Sequence, residues 1–74
     1  MDYKERIMAD SNIMLGKPII KGTRITVESI LKKLSEGMTI EDLLKAYPHL
    51  TKEDILAALS YSAEVISHEE LIAT

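Results

Sequence analysis

Residues 38–55 read MTIEDLLKAYPHLTKEDI, and this stretch decides the fold. Thr39 and Thr51 each follow an apolar residue and precede a pair of acids. A threonine so placed predicts a helix N-cap, its hydroxyl accepting a free backbone N–H of the first turn. Met38 with Leu43, and Leu50 with Ile55, occupy the flanking positions that close a hydrophobic staple. Glu41, Asp42, Glu53 and Asp54 fall in first turns, where the positive end of the helix dipole favours them. Pro48 disfavours helix at the residue before it, so the first of these helices ends near Tyr47. Two helices joined by the short link Tyr47–Leu50 read as a helix-turn-helix unit.

The same start occurs once more upstream. ITVESI at 25–30 places Thr26 as a cap, Ile25 with Ile30 as a staple, and Glu28 in the first turn. The likeness of the three windows is local capping chemistry rather than an ancestral repeat. The apolar period then predicts three helices. The first carries Val27, Ile30, Leu31 and Leu34, with Gly37 at its left-handed end. The second carries Ile40, Leu43, Leu44 and Tyr47, and the third Ile55, Leu56, Leu59, Ala63 and Ile66.

Before residue 27 the period changes. Asp10-Ser11-Asn12 and Gly22-Thr23 are turn signals, and they separate short strands near 5–8, 18–21 and 24–26. Pro18 belongs at a strand start, since it has no N–H to give a ladder. The fold class is therefore mainly α: a trihelical helix-turn-helix domain, homeodomain-like or winged-helix-like, preceded by a short β-arm or hairpin. One domain spans 1–74, with the arm at 1–26, the helical core at 27–66 and a tail at 67–74.

A chain of 74 residues buries only about 60% of its unfolded surface, which makes its core marginal. It has no cysteine, so neither a disulfide nor a thiolate metal site supports it. A homodimer, built by pairing the β-arm with a second subunit, is the expected support. No apolar run reaches the roughly 18 residues of a membrane span, and no signal peptide is apparent. The expected setting is soluble and cytoplasmic. Hydrophobic content of 46% with 28% charged residues excludes a disordered chain. Three tyrosines are the only aromatics, which argues against a base-stacking platform.

Charge is divided along the chain. Residues 1–26 carry five basic side chains against three acids, and residues 27–74 carry four against nine. GKPIIKGTRITV, residues 16–27, concentrates Lys17, Lys21 and Arg24. It is not a phosphate-binding P-loop, because the glycines are six apart and Gly22 precedes Thr23-Arg24. Either Arg24 pairs with Glu28 or caps helix carbonyls, or Lys17, Lys21 and Arg24 form a basic edge for phosphate or a carboxylate-lined partner. Helix three is a poor DNA reader, since Glu53, Asp54 and Glu64 would face phosphates. The arm is the better DNA candidate, as a two-stranded ribbon also fits the major groove.

No catalytic, cofactor or metal site is expected. His49 and His68 are nineteen residues apart and match no ligand spacing. The acid pairs are explained by the helix dipole. In the tail, Ser67 and Glu70 fit a capping box for a further turn. Leu71 and Ile72 either pack on the chain's own core or, together with Tyr61, make a candidate partner surface.

GKPIIKGTRITV followed by EGMTIEDLLKAYPHLTKEDILAALSYSAEV resembles a small prokaryotic family, domain of unknown function number 433. The resemblance covers about residues 7–66 and is most specific at Gly22–Ile25 and Tyr47–Thr51. Asp10-Ser11 and Leu15 depart from the family pattern, which often has Asp-Pro and a second glycine there. The resemblance implies a β-segment with a homeodomain-like trihelical fold. It further implies a VapB-like antitoxin paired with a nuclease of the PIN-like fold. Two functions follow as expectations: a homodimeric antitoxin-like module that covers a PIN-like nuclease's site, or a DNA-binding transcriptional regulator of helix-turn-helix type.

Overall fold

Each of the three threonines caps a helix in the computed structural model, which describes residues 2–68. Thr26 Oγ1 accepts from Ser29 N at 3.0 Å and opens α1, Val27–Ser35. Thr39 Oγ1 accepts from Asp42 N, while Asp42 returns a bond to Thr39 N at 2.9 Å; this box opens α2, Ile40–Ala46. Thr51 and Asp54 make the same reciprocal pair at the start of α3, Lys52–His68. Gly37 takes a φ of 103° after α1, a left-handed conformation that a Cβ would strain.

The cap of α2 is open to solvent, and two outcomes test it. Thr39→Ala should cost about 1 kcal/mol in a urea melt. The Thr39 N–H, and then its hydroxyl, hold the Asp42 carboxyl below the usual aspartate value. A depressed carboxylate stabilises the fold above its unfolded pKa, and that contribution fades as pH falls through the folded one. Thr39→Ala keeps the N–H and loses only the hydroxyl, so its cost should persist in acid, whereas the cost of Asp42→Ala should fade as pH falls through the folded pKa of Asp42.

Upstream, β1 (Ile7–Met8) pairs antiparallel with β2 (Ile19–Ile20), in register Ile7 with Ile20 and Met8 with Ile19. Pro18 precedes β2, as its missing N–H requires. The third expected strand, 24–26, shrinks to one bridge between Ile19 and Thr26. Thr26 is spent as the cap of α1, and Val27 N already donates to Pro18 O, so the chain turns helical at once. Glu5 belongs to a 3-10 turn, Tyr3–Glu5, rather than to the first strand. A second 3-10 turn, Met14–Gly16, lies between the strands.

The hairpin does not wait for a second subunit. It folds onto its own helices, burying Ile7, Ile19 and Ile20. Ile7 and Ile20 join Val27, Ile30, Leu43, Leu50, Ile55, Ala57 and Ala58 in one core cluster. The staple residues Ile25 and Met38 pack against that cluster.

Two expectations about α3 are corrected. The stripe Leu56, Leu59, Ala63 and Ile66 does not face the core; Leu56 is 37%, Leu59 38% and Ile66 62% exposed. The buried face is Asp54, Ile55, Ala57 and Ala58. Two adjacent alanines let α1 and the arm approach the helix backbone closely, which larger side chains there would prevent. The tail boundary also moves. Ser67 and His68 continue α3, and the Ser67 hydroxyl donates to Glu64 O; Glu70, the other half of the expected capping box, lies outside the described residues. Among the described residues no helix is long and apolar enough to cross a membrane.

Candidate functional site

Lys21 and Arg24 flank a tightly fixed turn. Gly22 has a φ of 83°, and Ile20 O accepts both Thr23 N and the Thr23 hydroxyl. Thr23 Oγ1 in turn accepts Ile25 N, and Ile25 O accepts Ile20 N, closing the loop on itself. Lys21 N donates to Arg6 O, which ties the turn to the arm. Among the described residues, neither Lys21 nor Arg24 engages its exposed side chain in an ion pair. The backbone is rigid and the two cations are presented to solvent.

Lys17, the third member of the expected basic edge, is engaged. Its ammonium lies 2.9 Å from Glu28 Oε1. That bond, then the charges of Lys17 and Lys32, keep the Glu28 carboxyl below its usual value. Pairing of Arg24 with Glu28 was one of the alternatives the sequence left open. Lys17 takes that place because Pro18 O receives Val27 N and so lays residue 17 beside the first turn of α1.

The turn forms one side of a groove of about 270 Å³. Gly22, Thr23 and Ile25 line it from the arm; Ala46, Tyr47, Pro48 and His49 line it from the α2–α3 link. The two sequence stretches that stood out most, 22–25 and 47–51, thus meet across one surface feature.

Tyr61 is half-buried. Its ring meets that of Tyr3 edge-on, with centroids 5.3 Å apart at 80°. Burial first, and then a hydrogen bond to Glu64, raise the Tyr3 hydroxyl above the ordinary phenol pKa. On its other side Tyr61 walls an apolar groove of about 300 Å³, shared with Pro18, Val27, Leu31, Val65 and Ile66. Leu71 and Ile72 lie outside the described residues.

One structural residue escaped sequence reasoning. Asp54 is 8% exposed, and its Oδ1 accepts Arg6 Nη1 at 3.0 Å, across 48 positions of sequence. It anchors the arm to α3 while its other oxygen caps the helix. The Thr51-x-x-Asp54 spacing signals the cap; nothing local signals Arg6. Among the described residues, no group of three or more His, Cys, Asp or Glu side chains is placed to hold a metal.

A family model described as "Protein of unknown function (DUF433)" matches residues 7–62. The uncharacterized protein y4eO of Sinorhizobium fredii is 30% identical over 59 residues, covering 80% of this chain and 27% of its own length. An uncharacterized protein of Archaeoglobus fulgidus is 60% identical over 25 residues, 34% of this chain and 69% of that one. The crystal structure of a DUF433 member from Anabaena variabilis superposes with a TM-score of 0.78 at 32% identity, over 80% of this chain and 58% of that chain. The chain thus spans about a quarter of the rhizobial protein and somewhat over half of the cyanobacterial one. Matched from the first strand into the third helix, and alike in fold to a solved member, this chain belongs to the DUF433 family.

Proposed function

We propose that this chain is an antitoxin-like interaction module, homodimeric, that inhibits a PIN-like nuclease by binding over its site. The observation that carries the reading is the second apolar face of α3. Leu56, Leu59 and Ile66 recur at helical spacing, and all three are more than a third exposed. A helix with apolar residues on both sides is built to be covered on both. The basic turn adds charge of the right sign. A nuclease that holds its metal with clustered carboxylates offers a site where Lys21 and Arg24 make charge-assisted bonds.

Co-expression with any PIN-like nuclease that a neighbouring reading frame encodes tests the reading. Wild type should co-purify with it and suppress its activity. Leu59→Glu should abolish capture while leaving the helical circular dichroism unchanged. Lys21→Glu with Arg24→Glu should weaken inhibition at least about tenfold, the loss of one or more charge-assisted bonds. Capture and inhibition unaffected by all three changes would refute it.

A second reading, a DNA-binding regulator, is favoured by the exposed Lys21 and Arg24, which form no ion pair among the described residues. The exposed Glu53 in the first turn of α3 opposes entry of that helix into a groove. Binding through the arm alone would fall steeply with added salt, whereas a partly buried protein interface is screened much less. A salt titration against duplex and against nuclease separates the two.

A further inference from the structure

The buried stripe of α3 runs past the core. Ile55 and Ala58 on it are fully buried, Ser62 is half-buried, and Val65 is 41% exposed. These positions are spaced three, four and three residues apart, so they share one side of the helix. Ile66, next to Val65, is 62% exposed. Pro18, Val27 and Leu31 stand opposite Tyr61, Val65 and Ile66 and enclose the groove of about 300 Å³. A helix end that only projected into water would carry polar residues there. An apolar stripe continued beyond its own core is a surface that gains by being covered.

Residues 69–74, EELIAT, follow α3 directly and lie outside the described residues. Leu71 and Ile72 are the two large apolar side chains of that segment. We propose that Leu71 and Ile72 fold back from the end of α3 and fill this groove.

The segment has the reach. Ile72 is four residues past His68, a span of up to about 13 Å when extended. Tyr61, the groove residue of α3 farthest from His68, is seven residues back, about 10 Å along the helix axis. A helix carried straight on would leave Leu71 and Ile72 beyond the groove, which ends at Ile66. It would also set Glu69 and Glu70 at the negative end of the helix dipole, where acids are unfavourable. Charge favours the return path. Lys17 and Lys32 both act on Glu28 at the α1 wall, two cations against one anion, and the segment brings two acids.

The tether selects this occupant over a second copy. A segment joined to the groove by a few residues is present at an effective concentration in the millimolar range. Another chain offering the same side chains at micromolar concentration competes at roughly a thousandfold disadvantage. The partner face proposed above is independent of this contact, since neither Leu56 nor Leu59 lines the groove.

Nuclear magnetic resonance of the full chain in dilute solution is the test. The methyl groups of Leu71 and Ile72 should show nuclear Overhauser contacts to the Tyr61 ring and to Leu31 and Val65. In a mixture of isotope-labelled and unlabelled chains, a filtered spectrum should show none of these contacts between chains. Leu71→Ser with Ile72→Ser should lower the thermal midpoint by about 4–8 °C, as apolar contact is lost. Val65→Ser should then add less in that background than it does in wild type, because the shared contact is already gone. Contacts seen only between chains would make a second copy the occupant and overturn the proposal. No contact between these methyls and the groove, or a double serine variant as stable as wild type, would overturn it equally.

Discussion

Ile55→Ala is expected to cost ~2–5 kcal/mol, and Leu59→Ala, four residues on, less than about 1 kcal/mol. Ile55 is fully buried in the core cluster, whereas Leu59 is 38% exposed. The larger loss combines the transfer energy of the removed carbons with the cavity they leave. A domain of 74 residues has roughly 4–11 kcal/mol of stability in all, so Ile55→Ala should bring it close to unfolding at room temperature. Urea melts of the two variants in dilute solution measure the difference directly. Equal losses would mean that α3 is rotated from the orientation described here.

The second large effect belongs to Asp54. Its two oxygens accept from Arg6 and from Thr51 N, both at 3.0 Å. Asp54→Ala breaks the arm's anchor and half of the capping box together. The Arg6 side chain is 41% exposed, so water screens the ion pair and its share is modest. With the cap, and with the loss of a charge-assisted bond, the expected cost is roughly 2–3 kcal/mol. Arg6→Ala should cost about half as much, since the cap of α3 survives it. The Lys21 amide, bonded to Arg6 O, should exchange faster with deuterium in both variants, while amides inside α3 change only in Asp54→Ala. Identical losses in the two variants would show that Asp54 contributes nothing as a cap.

The candidate surfaces were legible to different degrees. Lys17, Lys21 and Arg24 stand out in any reading of residues 16–27, and Lys21 and Arg24 are exposed beside a fixed turn. The Lys17–Glu28 pair was not legible, because it depends on how Pro18 docks against α1, a contact that no residue spacing reports. Leu15 is noticed in the sequence only as a residue that stands where the family often has glycine. It becomes conspicuous only when its φ of 60° and its exposure are known together.

The helix boundaries were determined by the sequence itself. Thr26, Thr39 and Thr51 start helices, while Gly37 and Pro48 mark where two of them end, because each acts on backbone groups within about four residues. Such chemistry needs no knowledge of the rest of the chain. Tertiary structure alone decided which side of α3 is buried. Periodicity finds an apolar stripe but cannot rank two, and this helix has two: Ile55 with Ala57 and Ala58, and Leu56 with Leu59 and Ile66. The bulkier stripe lost, since the arm docks on the side of α3 where Arg6 finds Asp54, across 48 positions of sequence.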